Sequence, residues 1–158
     1  MSRRFWSVLL ISLPALISGC ADGRASAPGK ADVAGVYTLS EKSGIFLTRI
    51  RHYVSVPRSF IDLHSDGKAV VEGMPDCYLI DFDAKQGSFL SGHGTWQIEA
   101  TDFGYGVTLD IAPGGSLPAG IYHASTLLLK GKAAPFALQV GIGDPDSNEW
   151  LVLEPSGS

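Results

Sequence analysis

The sequence predicts an all-β domain: a small antiparallel barrel or sandwich of about eight or nine strands, with room for one short helix. Three observations carry this. Short runs rich in Val, Ile, Tyr, Phe and Thr recur from Gly35 to Leu153. Gly, Pro, Asp or Asn interrupts them at nearly every break. Asp66-Gly67 stands between two such runs, and Asp-Gly in that setting is the strongest short-range hairpin signal. A closely spaced series of this kind belongs to barrels and sandwiches.

Taken in order, Gly35 to Leu39 alternates through Val36, Tyr37 and Thr38 and reads as the first strand. Phe46, Leu47, Ile50, Tyr53 and Val54 follow at i, i+1, i+4, i+7 and i+8, the stripe of one helical face. Ser43 precedes that stripe as a cap and Pro57 lies beyond it, which favours a short helix. The β-rich tail Tyr53-Val54-Ser55-Val56 favours a strand instead. Phe60 to His64 is a strand, Ser65-Asp66-Gly67 a turn, and Lys68 to Glu72 the returning strand. Tyr78–Phe82 is a further short apolar run. Gly94 to Glu99 and Gly106 to Ile111 flank a hairpin-like Gly104-Tyr105. Tyr122 to Leu129 and Phe136 to Ile142 are separated by Lys130-Gly131-Lys132. A turn over Asp144-Pro145-Asp146-Ser147-Asn148 leads into a last strand, Glu149 to Leu153.

The N-terminus reads differently. Met1 to Trp6 holds two cations and no acid, and Ser7 to Ile17 is apolar apart from Ser12 and Pro14. This is the charged region and short apolar region of an export signal. It is about half the roughly 20 residues needed to cross a bilayer, and Pro14 disfavours a helix there. Ile17-Ser18-Gly19-Cys20 places an aliphatic residue and two small residues before a cysteine. The pattern resembles the lipobox of bacterial lipoproteins. That resemblance implies cleavage before Cys20, lipidation of its sulfur, and stable anchoring by more than one acyl chain. Ala21, where Asp would retain such a protein in the inner membrane, implies the periplasmic face of the outer membrane. Residues 1–19 are thus a signal peptide. Residues 20–33, small and polar without periodicity, are the lipidated cysteine and a flexible tether. Residues 34–158 are the β domain.

Removing 19 of 158 residues leaves 139, enough for one domain. Arg3 and Arg4 leave with the signal, so 10 of the 12 cations remain against 16 acids, a balance of −6. An acidic domain is a poor partner for nucleic acid. Cys77 is the one thiol left beside the lipidated Cys20, so no internal disulfide forms. Its apolar setting, Cys77-Tyr78-Leu79-Ile80, suits a buried thiol, with a reactive or intermolecular thiol as the alternative. No GxxxxGK[ST] or GxGxxG motif is present, and the periplasm supplies neither ATP nor nicotinamide. No cofactor is expected.

The candidate sites are few. Asp62, His64 and Asp66 alternate on one strand face, with His93 or His123 as possible additions from neighbouring strands; such a row has metal-ligand chemistry. The plainer reading is the solvent face of a hairpin. Asp144-x-Asp146-x-Asn148 copies the opening of a calcium loop, but Glu149 and Pro155 stand where an EF-hand needs Gly and Glu. A turn bonded to its own backbone explains it more simply. Neither set is assigned a metal. No G-x-S-x-G is present, and no catalytic residue is assigned. Trp96, Trp150, Tyr37, Tyr105, Tyr122, Phe89 and Phe103 line either a core or a ligand cavity.

Gly35-Val36-Tyr37, the Leu63-x-x-Asp66-Gly67 hairpin, Gly94-Thr95-Trp96 and Gly143-Asp144-Pro145-Asp146-Ser147 together resemble small lipocalin-like domains of bacterial lipoproteins. The resemblance spans most of residues 35–154. Lipocalins carry Gly-x-Trp on the first strand, and Tyr37 takes that Trp position here. Two functions follow as expectations. The first is a non-enzymatic anchored protein that binds a small apolar ligand or lipid inside its barrel. The second is a protein-binding module, an inhibitor or immunity factor whose acidic charge suits a basic target.

Overall fold

A computed structural model of the chain describes residues 26–76, 87–112, 123–142 and 149–157. Eight strands run in chain order: β1 Gly35–Leu39, β2 Phe60–Leu63, β3 Lys68–Pro75, β4 Phe89–Thr101, β5 Gly104–Ala112, β6 His123–Lys130, β7 Ala137–Gly141 and β8 Trp150–Pro155. Each pairs antiparallel with the next, and β8 pairs back to β1 between Tyr37↔Pro155 and Leu39↔Leu153, closing a barrel. Closure leaves no free sheet edge. The expected all-β barrel is the observed fold. The run Tyr78–Phe82 lies outside the described residues.

The barrel follows from period-two alternation. On β2, Ile61 and Leu63 are buried while Asp62 between them is half-buried. Val107, Leu109 and Ile111 of β5 and Leu151 and Leu153 of β8 repeat the pattern. On β3, Ala69 and Val71 point inward, and one extra residue between Val71 and Met74 resets the phase so that Met74 does too. This bulge carries β3 to Pro75, beyond the expected end at Glu72. Ile61, Val107, Leu109, Ile111, Leu127, Leu138, Leu151 and Leu153 are all 0% exposed, so even a water molecule finds no room against them. Eight strands make an interior narrow enough for side chains to fill.

Gly94 is needed where β4 crosses β5. A Cβ there would stand 1.8 Å from the Asp110 carbonyl oxygen. The β2–β3 turn needs Gly67 at φ 89°, with its N–H on the His64 carbonyl at 2.9 Å. The β4–β5 turn centres on Asp102-Phe103, not on Gly104-Tyr105, which already belong to β5. The Thr101 side chain explains the shift: its Oγ1 accepts the Phe103 N–H at 3.2 Å and closes the turn one step earlier.

Among the described residues two helices are present rather than one. The first, α1 (Lys30–Val33), is a single turn before β1. Val33 is fully buried and its carbonyl accepts the Tyr37 hydroxyl at 2.6 Å, so α1 packs onto the barrel through Val33. The second, α2, spans Glu41–Arg49; it takes in Phe46 and Leu47 of the apolar stripe read from the sequence and ends before Ile50, Tyr53 and Val54. Its cap is Ser40, whose side chain accepts the Ser43 N–H at 3.3 Å. Ser43 is buried instead, with its Oγ accepting the Val152 N–H of β8 at 2.8 Å. The helix ends at Arg49, with Ile50 as its cap donating its N–H to the Phe46 carbonyl at 2.9 Å; beyond it the chain turns through His52 at φ 59°, and the Tyr53 N–H reaches the Leu47 carbonyl at 3.1 Å.

The strand directions give the barrel two unlike mouths. The entry mouth holds α1 and the turns β2–β3, β4–β5 and β6–β7. The helix mouth holds α2 and the residues up to Ser59, and the other three connections leave from its rim.

Candidate functional site

At the entry mouth Trp96 is the central side chain. Its ring is 3% exposed, its Nε1–H donates to the His64 carbonyl at 2.7 Å, and the Lys30 ammonium sits 5.3 Å from the ring centroid. At the same mouth a cleft of about 700 Å³ lies between the β4–β5 hairpin and the residues after β6. Phe103, Tyr105, Phe136, Leu129 and Lys132 line it, together with Ser26 and Pro28 of the incoming chain.

At the helix mouth a buried carboxylate organises the chain. Asp76 is 2% exposed. It accepts the Tyr53 hydroxyl at 2.5 Å and the backbone N–H groups of Ser88 at 3.0 Å and Gly87 at 3.4 Å. Tyr53 stacks tilted on Phe89, with ring centroids 5.2 Å apart. Nothing in the sequence marks Asp76, because an acid beside a proline carries no sign of burial. Arg51 pairs with Glu149 at 2.6 Å, tying this segment to the start of β8.

The same segment also keeps apolar surface in solvent. Ile45, Ile50 and Val54 are 44%, 55% and 101% exposed. Ile45 borders a shallow groove of about 480 Å³ shared with Thr48, Val56, Pro57 and Arg58. Residues 41–58 hold Lys42, Arg49, Arg51 and Arg58 against one acid, Glu41. Four of the chain's 12 lysines and arginines thus fall within 18 residues, although the chain as a whole is acidic.

The residues singled out from sequence separate as follows. Cys20, Cys77, Tyr122, Asp144, Asp146 and Asn148 lie outside the described residues, as does the side chain of His123. Asp62 and His64 approach to 3.5 Å, both partly exposed. Asp66 turns away to Lys68, 2.9 Å from its ammonium. That hydrogen bond holds the Asp66 carboxyl below the usual carboxylate range and the Lys68 ammonium above its own. His93 is exposed on β4, across Val70 from Asp62 and two strands away, or about 10 Å. Among the described residues, no three His, Cys, Asp or Glu side chains converge. Of the aromatic residues, Tyr37 and Trp96 are core, Phe89 packs on the core, and Tyr105 and Trp150 are half-buried. Phe103 is 85% exposed at a hairpin tip, so it lines neither core nor barrel interior. A scan against family models and searches of the curated proteins and of the solved structures find no match to this chain.

Proposed function

We propose that the chain is the precursor of a non-enzymatic, lipid-anchored envelope protein that binds a partner protein through its helix mouth. The observation that carries this is the face over residues 41–58: three exposed aliphatic side chains, a shallow groove and a local excess of cations on an acidic domain. Exposed apolar side chains ringed by charge suit protein contact. The partner this face fits carries carboxylates around an apolar knob, a different complement from the basic target that net charge alone suggests. The export segment and Ile17-Ser18-Gly19-Cys20 support anchoring through Cys20 on the periplasmic side of the outer membrane. The closed eight-strand antiparallel barrel supports the lipocalin-like reading. A small apolar ligand or lipid inside the barrel has less support, because among the described residues Ile61, Val107, Leu109, Ile111, Leu127, Leu138, Leu151 and Leu153 are fully buried against their neighbours.

The test is a photo-crosslinking amino acid at Ile50 of the lipidated protein in a bacterial envelope. The expected result is one defined protein adduct, lost on Ile45→Asp, with purified binding that weakens as salt rises. Absence of any protein adduct, together with a fatty acid or lipid retained by the delipidated protein in native mass spectrometry, would restore the interior-ligand reading.

A further inference from the structure

We propose that the entry mouth lies against the bilayer, with Phe103 at the tip of the β4–β5 hairpin seated among the lipid headgroups. This rests on the lipid anchor at Cys20. Three observations lead to it.

The first is the path of the chain. Ser26 and Pro28 line the same cleft as Phe103. Only residues 21–25 stand between Ser26 and Cys20. Six residue steps, fully extended, reach about 20 Å. The domain therefore pivots about this mouth and keeps it near the membrane in every orientation.

The second is the hairpin itself. Phe103 is 85% exposed at a position where turns ordinarily take Gly, Asn or Asp. The turn does not use its ring. Thr101 Oγ1 accepts the Phe103 N–H and donates to the Gly104 carbonyl, both at 3.2 Å. Half-buried Tyr105, Leu129 and Phe136 lie in the cleft beside it, and Lys132 flanks them. Aromatic rings, an aliphatic side chain and a lysine are the residue types that settle at a membrane–water interface.

The third is the balance of strength and charge. One phenylalanine is too weak to hold a free protein on a membrane. On a domain already tethered, the contact is intramolecular and needs little affinity to orient it. Asp102 and Lys132 both border the cleft, so the contact is not built for anionic lipid. Seated this way, the barrel carries the 41–58 face on its other mouth, away from the bilayer.

The experiment uses the Cys20-lipidated protein in vesicles of phosphatidylcholine, and of phosphatidylethanolamine with phosphatidylglycerol. An environment-sensitive fluorescent amino acid replaces Phe103 in one sample and Val54 in another. Expected in both lipids are blue-shifted emission at 103, quenching there by chain-brominated lipid, and water-like emission at 54. The unlipidated Cys20→Ala protein should show no shift. Failure of the wild-type protein to sediment with vesicles overturns the anchor, and the docking with it. Sedimentation with water-like emission at 103 overturns the docking alone. So does a shift at 54 instead, or a shift at 103 without vesicles, which would place a second copy on the hairpin.

Discussion

The two mouths of the barrel cover the ends of one packed interior with different material. The entry mouth uses short pieces: a one-turn helix, the Asp66-Gly67 turn and a single indole under Lys30. The helix mouth uses a long connection, from which Leu47, Tyr53 and Ser43 are buried while Ile45, Ile50 and Val54 are not. A short cover leaves almost nothing over. A long cover carries more apolar residues than the core can take, and the surplus becomes a surface on which a partner can act. The exception at the entry mouth, Phe103, is likewise a residue its turn does not need.

Four substitutions sharpen this contrast, from the largest effect to the smallest. Trp96→Ala removes the plug of the entry mouth and should cost about 3–5 kcal/mol in urea unfolding; a loss no larger than that of any helix-mouth variant would break the comparison. Asp76→Asn takes an acceptor from a site with three donors and should cost about 1–3 kcal/mol, with Tyr53 and Phe89 moving in near-ultraviolet circular dichroism. Tyr37→Phe frees the Val33 carbonyl and should cost about 1 kcal/mol. Burial raises the Tyr37 pKa above its ordinary value. Its contribution is therefore complete below that value and lost as pH rises through the folded pKa, so the variant should show a smaller alkaline loss of stability than wild type. Lys68→Ala should leave stability unchanged, since the pair is exposed. By NMR, the Asp66 carboxyl should return upward toward its ordinary range. Its small contribution in the wild type is present above that range and lost as pH falls through the lowered pKa.

The strands were legible because alternation and turn chemistry are local. Ile61 and Leu63 inward, Asp62 outward and Asp66-Gly67 at the turn can all be read from seven residues. The helix was half-legible. Ser40 and Ser43 are both capping residues, and the choice between them rests on Val152 of β8, 109 residues from Ser43, which claims the Ser43 hydroxyl. The apolar stripe through Ile50 and Val54 misled for a related reason: a stripe says that residues share a face, not that the face finds a cover. The bulge after Val71 left one mark in β3, Gly73 at φ 61°, because an isolated glycine inside a strand pattern points to a bulge. Asp76 and the exposure of Phe103 are tertiary facts with no local signature. The clustering of cations over residues 41–58 was countable from the sequence; net charge concealed it.

With the anchor proposed at Cys20, the entry mouth is held to the membrane and the helix mouth stays free. Paramagnetic relaxation from a headgroup nitroxide, read on leucine methyls of the lipidated protein in nanodiscs, tests this arrangement most directly. Strong broadening of Leu129 at the entry mouth with sharp Leu47 signals on α2 is the predicted result. Equal broadening of the two, or broadening of Leu47 alone, would contradict it.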